Sequence, residues 1–145
     1  MENCLGCRLA NKQERTFMIY ENDHVACFLD HVPHHPGHTL ILPKQHKIEL
    51  TELNKDESLF IMEASKLVAR TIQALYGPNG ITICQNGGIY NELTHYHMHV
   101  IPRNEEPDRF GDLFYGNAEI GTHNESIEET HIKMKTTINR LLEEE

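Results

Sequence analysis

The residues with the clearest capacity for chemistry lie together at positions 95–103, HYHMHVIPR. Three histidines alternate there with aromatic or apolar residues, which is the period-two pattern of a β-strand with two different faces. Successive side chains of a strand point in opposite directions, so His95, His97 and His99 are predicted to share one face. We call these three residues the histidine row.

The spacing of the histidine row limits what a single metal ion could bind. At a rise of about 3.3 Å per residue, His95 and His99 stand about 13 Å apart along an extended strand. A tetrahedral ion with bonds of about 2 Å cannot bind both residues unless the strand bends sharply. The row is therefore expected to have at least two tasks.

Three interpretations of the row follow. In the first, the polar face of the strand simply meets solvent, which strict alternation beside Pro102 and Arg103 disfavours. In the second, His95 and His97 are joint ligands of a catalytic zinc ion. Such sites usually include a carboxylate or a third histidine and a water, and no acidic residue follows within the strand. In the third, one histidine binds a structural zinc ion and another is a nucleophile or general base.

A pair of thiols, Cys4 and Cys7, offers further ligands near the start of the chain. With Gly6 permitting a tight turn, the pair could bind one zinc ion, form a redox disulfide or do neither. A redox motif usually precedes a helix in a βαβ unit, whereas residues 11–15 are predicted to lead to a strand. A zinc site needs two more ligands from distant parts of the chain. Cys27, in the middle of a predicted strand, is expected to be a buried structural thiol.

Composition sets the outer bounds. A chain of 145 residues with 39% hydrophobic residues is predicted to be one globular domain. It lacks an apolar run of about 20 residues and the pattern of a signal peptide, so we expect a cytoplasmic protein whose cysteines are ligands or core residues. The net charge of −9 argues against non-specific binding to nucleic acid or membranes. A small phosphorylated ligand is still compatible, because a local cation can override the global charge.

The elements that must position these residues can be predicted from periodicity. Helix-type spacing follows a capping Asn54 and stops at Gly77, and a second helix is predicted over 126–142. Strands are predicted over 16–20, 25–29, 38–43, 81–84 and 95–103. Counted as four strands, a crossover helix, a fifth strand and a late helix, they indicate an α+β domain with a mainly antiparallel sheet.

Other histidines are predicted to be solvated. His34 and His35 lie in a proline-rich loop over 30–37, and His123 and His131 lie in or beside a polar segment near the second helix. The pattern alone assigns no role to His38 or His46.

Several segments resemble one known family. Residues 95–101 resemble the His-φ-His-φ-His-φ-φ signature of the histidine-triad (HIT) superfamily of nucleotide hydrolases and transferases. Residues 28–30 (FLD) and 36–46 (PGHTLILPKQH) resemble its nucleotide-binding segment in the same order, and Cys4-x-x-Cys7 resembles the zinc half-site of its bacterial branch. The resemblance covers a core of about residues 4–103 and leaves 104–145 as a C-terminal extension of a single domain.

The resemblance implies a role for each matching residue. It implies a HIT-like fold in which His97 attacks the α-phosphate of a nucleotide and forms a nucleotidyl-histidine. His99 would contact the phosphate or leaving group, and His38 would set the geometry from the facing strand. Asp30 would accept hydrogen bonds from ribose hydroxyls, and Phe28 would line the base pocket.

The resemblance also implies a structural zinc ion and a homodimer that pairs two sheets. The corresponding zinc ligands are Cys4, Cys7, His46 and His95, a Cys₂His₂ set typical of a closed site. Such a site leaves no open position on the ion, so the zinc would hold the N-terminus near the active site without taking part in chemistry.

The turn before the histidine row departs from the family pattern. Members usually have a Gly-Gln-Ser/Thr/Glu-type turn that binds phosphate, whereas residues 90–94 are YNELT and the loop from Asn86 is shorter. Gln85, Asn86 and Asn91 could still donate hydrogen bonds to phosphate, while an inward-pointing Glu92 would repel it.

Two cations, Lys44 and Arg103, lie near these motifs in the sequence. Each is equally compatible with a phosphate contact and with a solvated charge at the end of a strand.

These observations predict a cytoplasmic, zinc-containing hydrolase or nucleotidyl transferase. The predicted substrate is a nucleoside phosphoramidate or a dinucleoside polyphosphate, cleaved at the α-phosphate. The alternative is a catalytically weak nucleotide-binding regulatory or scaffold protein that keeps the pocket and the zinc ion, which the altered turn favours.

Overall fold

The computed structural model describes residues 3–105, 108–114 and 124–145. Five strands form one sheet in these residues: β1 (Met18–Glu21), β2 (Val25–Leu29), β3 (Thr39–Pro43), β4 (Gly80–Gln85) and β5 (Met98–Arg103). Their order is β1-β2-β3-β5-β4, and each neighbouring pair is antiparallel. The helices are α1 (Leu5–Ala10), α2 (Lys55–Tyr76) and α3 (Ile127–Glu143). The predicted α+β fold with a crossover helix and a C-terminal helix is confirmed.

Helix α2 begins and ends at the predicted signals. The side chain of Asn54 accepts a hydrogen bond from the backbone N–H of Glu57, whose carboxylate accepts one from the N–H of Asn54. Gly77 ends the helix in the left-handed conformation with φ of 50°. The helix follows the third strand, so the predicted count of four strands before the crossover helix is wrong. No helix in the described ranges is long and apolar enough to cross a bilayer.

The helices divide the sheet into two different faces. Helices α2 and α3 pack on the face that carries Met98 and Val100, in the larger apolar core. The opposite face carries Phe28 and Leu40, with α1 packed near them. His99 pairs with Leu40 across the sheet, which places it on this second face. His99 therefore lies on the face opposite the main packing surface of the two long helices.

The start of β5 and the presence of α1 differ from the prediction. The strand predicted over 95–103 begins only at Met98, where pairing with β3 and β4 starts, and His95 lies in a bend before it. Helix α1 was not predicted, because its N-cap is Cys4, a residue type outside the usual capping set. The thiol pair thus does start a helix, but α1 precedes all described strands and no βαβ unit contains it.

Three of the histidines predicted to be solvated are half-buried instead: His34, His35 and His131. Nε2 of His131 lies 2.9 Å from the carbonyl oxygen of Met18, and Nδ1 of His35 lies 2.7 Å from that of Pro36. Their burial follows from contacts between distant segments, which a local polar pattern does not reveal. His123 lies outside the described residues. Cys27 is fully buried, as predicted.

Candidate functional site

Four side chains from distant parts of the chain converge on one point. The ligand atoms of Cys4, Cys7, His46 and His95 lie within 4.8 Å of one another. Sγ of Cys4 is 3.4 Å from Nδ1 of His95, and Sγ of Cys7 is 3.3 Å from Nδ1 of His46. A tetrahedral zinc ion with bonds of about 2.3 Å to sulfur and about 2.0 Å to nitrogen would separate such atoms by about 3.5 Å. The donor set and its spacing therefore fit zinc.

The surroundings of this cluster prepare it for a cation. Nε2 of His95 donates to the carbonyl oxygen of Pro43 at 2.8 Å, which leaves Nδ1 unprotonated toward the sulfurs. Burial, reinforced by the hydrogen bond and charge of Cys4, raises the pKa of Cys7. A divalent ion bound here would offset this cost by favouring the thiolate form of Cys7.

Gly6 allows α1 to approach His95. A Cβ atom at this position would stand 2.2 Å from Cβ of His95, which no side chain can tolerate. Gly6 is a helical residue and its φ is not positive, so the tight turn predicted for it is wrong. Its lack of a side chain serves close packing.

His97 has a defined tautomer. Its Nδ1 lies 2.8 Å from the carbonyl oxygen of His95. A carbonyl oxygen only accepts hydrogen bonds, so in the neutral ring the proton is on Nδ1 and the lone pair is on Nε2. His97 lines the large cavity described below. Its ring is therefore arranged as a nucleophile or a proton acceptor.

A series of hydrogen bonds connects the backbone of His34 with the rings of His38 and His99. The backbone N–H of His34 donates to Nδ1 of His38 at 3.1 Å, so the proton of neutral His38 is on Nε2. That nitrogen lies 2.9 Å from Nδ1 of His99, which must accept, and the proton of His99 is then on Nε2. Burial lowers the pKa of His38 to about 4 and, together with the charge of His97, lowers that of His99. Both rings are neutral at pH 7.

The hydrogen bonds of His38 argue against a second metal site. Ligand atoms of Asp30, His38 and His99 also lie within 4.8 Å of one another. Because Nδ1 of His38 already accepts a hydrogen bond, its Nε2 keeps a proton and has no lone pair for a metal. The second, longer contact of this nitrogen is with Oδ2 of Asp30 at 3.5 Å. The backbone N–H of His34, the ring of His38 and the ring of His99 therefore form a hydrogen-bonded series, which we call the relay.

A cavity of about 730 Å³ opens beside the row. His97 and His99 line it, whereas His38, predicted to be catalytic, does not and contacts the lining through His99. Phe28, Asp30 and Asn86, three predicted substrate contacts, are in its wall. The volume is within the usual range for small-molecule sites.

Two other predicted substrate contacts lie outside the cavity wall. Asn91 is buried, and its amide nitrogen lies 3.2 Å from the carbonyl oxygen of Ile48 and 3.4 Å from that of His95. Its own side-chain oxygen accepts from the N–H of Leu93, so Asn91 shapes the turn and its amide is not available to phosphate. The amide of Gln85 donates to the carbonyl of Asn86.

The two cations near the motifs are both paired with acids away from the cavity wall. Nζ of Lys44 is 2.7 Å from a carboxylate oxygen of Glu21. Arg103 binds Asp108 through Nε and Nη2. Neither side chain lines the cavity, so neither places a positive charge beside a ligand bound there.

The N-terminal and C-terminal helices contribute wall residues that the sequence did not predict. Leu5 and Leu9 of α1 and Ile127 of α3 line the cavity. Their spacing is that of ordinary core positions, which carries no signal for a ligand. The pair His34 and Asp108 was also missed; the two side chains approach within 3.0 Å from positions far apart in the sequence.

Comparisons with known proteins agree with this architecture. The HIT domain family model matches residues 11–106. The chain is 32% identical over 120 residues to protein hit of Bacillus subtilis, covering 81% of this chain and 83% of that protein. It is 30% identical over 107 residues to an adenosine 5'-monophosphoramidase of Schizosaccharomyces pombe, covering 72% and 77% respectively.

Solved structures share the fold over the whole chain. The crystal structure of a zinc-bound histidine-triad family protein from Mycobacterium smegmatis superposes with a TM-score of 0.79, at 24% identity and 99% coverage of both chains. With the family model covering more than half of the sequence, this chain belongs to the HIT family.

Proposed function

We propose that this protein is a hydrolase or nucleotidyl transferase that cleaves nucleotides at the α-phosphate through a nucleotidyl-histidine on His97. The observation that carries the proposal is the hydrogen bond from Nδ1 of His97 to the carbonyl of His95, which leaves Nε2 unprotonated. A histidine nucleophile needs this tautomer at the moment of attack. The cavity beside it has room for a nucleotide.

The reaction would proceed in two displacements. Nε2 of His97 forms a bond to the α-phosphorus as the bond to the leaving group breaks, and a leaving amine takes its proton from solvent. Water then displaces His97 from phosphorus, which gives a nucleoside monophosphate and restores the imidazole. Nε2–H of His99 donates to a phosphoryl oxygen or the leaving group, where negative charge develops.

The wall charges favour a phosphoramidate over a polyphosphate. Among the described wall residues, Asp30, Glu92 and Glu128 are acidic and Arg15 is basic. A dinucleoside polyphosphate brings several more negative charges into this acidic wall than a phosphoramidate does, and like charges repel. The similarity to a relative named as an adenosine 5'-monophosphoramidase supports the same substrate class.

A structural zinc ion is the second part of the proposal. The fit of Cys4, Cys7, His46 and His95 to tetrahedral geometry supports it, as does the zinc-bound relative. When bound, the ion would supply folding stability by joining α1 to the segment before β5. All four positions would be filled by protein ligands, so no step of the reaction involves it.

We further propose that two copies of the chain form a homodimer by pairing their sheets. We also propose that the protein is cytoplasmic. Strand β4 is at the edge of the sheet, and Ile83 on it is 49% exposed. An unpaired edge with an apolar side chain is suited to association with another strand.

The test is hydrolysis of an adenosine phosphoramidate and of diadenosine tetraphosphate, with nucleotide binding measured in parallel. Turnover of either, with a phosphorus–histidine adduct trapped by acid-free quenching and located at His97 by mass spectrometry, supports the enzyme. Intact nucleotide binding without turnover of either substrate would establish the alternative, a regulatory or scaffold protein. The acidic wall near Glu92 is the observation that favours this alternative.

A further inference from the structure

The segment after β5 returns to the back of the active site. Asp108 lies in this segment, beyond the residues that the HIT domain model matches. Its side chain is 5% exposed and accepts hydrogen bonds from Nε and Nη2 of Arg103. A third hydrogen bond, 3.0 Å long, joins its Oδ2 to Nε2 of His34. A buried carboxylate is thus held between a guanidinium and an imidazole.

His34 contacts Asp108 with its side chain and His38 with its backbone. The side chain of His34, 12% exposed, is held by Asp108, and its backbone N–H donates to Nδ1 of His38. His38 in turn lies 2.9 Å from His99. An unbroken series of contacts therefore runs from Asp108 to a ring in the cavity wall.

The backbone hydrogen bond decides two tautomers at once. Without it, His38 could carry its proton on Nδ1 and present a lone pair at Nε2. His99 would then have to protonate Nδ1 to keep the contact, and its Nε2 would meet the substrate with a lone pair. A lone pair repels phosphoryl oxygens, whereas an N–H stabilises them.

We infer that Asp108 is a positioning residue for the reaction at His97: through His34 it holds the hydrogen bond that keeps the proton of His99 directed at the substrate. The inference rests on the proposed function for its effect on rate, but the tautomers of His38 and His99 can be observed without turnover. Arg103 compensates the charge of Asp108 and lies 3.0 Å from Oγ1 of Thr82, which anchors the pair to β4.

The experiment compares four variants of the full chain. Asp108→Asn removes the charge, and His34→Ala removes the side chain while keeping the backbone N–H. His34→Gln places an amide N–H near the position of Nε2 and is the conservative rescue. Asp112→Asn, in the same segment but bonded to the N–H of Arg109, is the matched control.

Two readouts separate positioning from general structure. Long-range ¹H–¹⁵N spectra of histidine-labelled protein, with His38 assigned by its loss in His38→Gln, report the tautomers of His38 and His99. Steady-state kinetics with an adenosine phosphoramidate report kcat and KM. We expect Asp108→Asn and His34→Ala to shift both rings toward mixed tautomers and lower kcat about tenfold, with KM within about twofold. His34→Gln and Asp112→Asn should match the parent protein in both readouts.

Unchanged tautomers and kcat in Asp108→Asn and His34→Ala would overturn the inference, as would an equal loss in Asp112→Asn. If Asp108→Asn fails to fold, the contrast between His34→Ala and His34→Gln decides. If the parent protein has no turnover, the proposed function fails, and the spectra alone still decide whether Asp108 sets the tautomers.

Discussion

The two ends of the histidine row differ in which ring nitrogen the backbone occupies. At the metal end, the carbonyl of Pro43 accepts from Nε2 of His95 and leaves Nδ1 facing the sulfurs. At the substrate end, the carbonyl of His95 accepts from Nδ1 of His97 and leaves Nε2 for the cavity. The position of the accepting backbone oxygen thus suits His95 to the proposed zinc site and His97 to the proposed nucleophilic attack.

The two ends also differ in what surrounds them. His95 is fully buried in a cluster with Cys4 and Cys7, at the start of α1, and with His46, from the segment after β3. His97 and His99 share a wall of a cavity of about 730 Å³. A closed cluster can stabilise but cannot reach a substrate, whereas an open wall can do chemistry and contributes less to folding. Each prediction below breaks or sharpens this division.

The largest effect is expected from His97→Ala. Loss of the nucleophile should reduce kcat for an adenosine phosphoramidate by about 10⁴-fold or more. The purified variant should still contain one zinc ion per chain, measured by elemental analysis, because Nδ1 of His95 does not depend on the ring of His97. Loss of zinc would mean that His95 and His97 are joint ligands, and the division would be wrong.

A change at the metal end should have the opposite profile. Cys4→Ser or His46→Ala should lower the zinc content and reduce Tm by about 10 °C, since a structural zinc site contributes several kcal/mol to folding. Cys84→Ser is the matched control, because this half-buried thiol lies outside the cluster. Full zinc content in both metal-end variants would refute the Cys₂His₂ assignment.

A third expected effect concerns pH and the relay. His38 has a pKa lowered to about 4 by burial, against a value near 6.5 in the unfolded chain. The unfolded state therefore binds more protons between these values, so the contribution of His38 to the free energy of unfolding should be constant above about pH 6.5 and fall as the pH drops toward 4.

Urea unfolding of the parent protein and of His38→Gln at pH 7 and pH 5 checks this effect. The variant should lose less stability between the two pH values, because it lacks the titrating ring. Any contribution from the zinc ligands is common to both proteins and cancels in the difference. An equal loss in both would show that burial of His38 does not govern the acid limb.

The features predictable from sequence are those encoded locally. The caps of α2 at Asn54 and Gly77 act within one turn, and the thiols of Cys4 and Cys7 stand three residues apart, so a short window contains each signal. Contacts between distant segments were predicted only where the family resemblance supplied them, as it did for His46 and His95 beside the thiols. The pair of His34 and Asp108 had no such source and was missed.

The start of β5 shows the same limit within a motif. Alternation continues through His95, but strand pairing begins only at Met98, because a strand needs partners as well as a pattern. Asn91 likewise looked like a phosphate ligand by position. It is buried, and its amide is directed at the carbonyl of His95. The direction of a side chain depends on the folded backbone and cannot be predicted from residue type.

The smallest effect is expected at Glu92, which tests how open the substrate end is to charge. Its carboxylate lines the cavity near His99, and its charge favours the protonated form of that ring. Glu92→Gln removes one negative charge at nearly constant shape. It should raise kcat/KM for diadenosine tetraphosphate about fivefold relative to an adenosine phosphoramidate, and the gain should shrink at high salt.

Glu128→Gln, at the α3 side of the same wall, provides the comparison for a carboxylate that is not close to the histidine row in sequence. A larger gain from Glu92 than from Glu128 would locate the polyphosphate repulsion beside the row. Equal selectivity in Glu92→Gln and the parent protein would mean that the acidic wall does not choose the substrate.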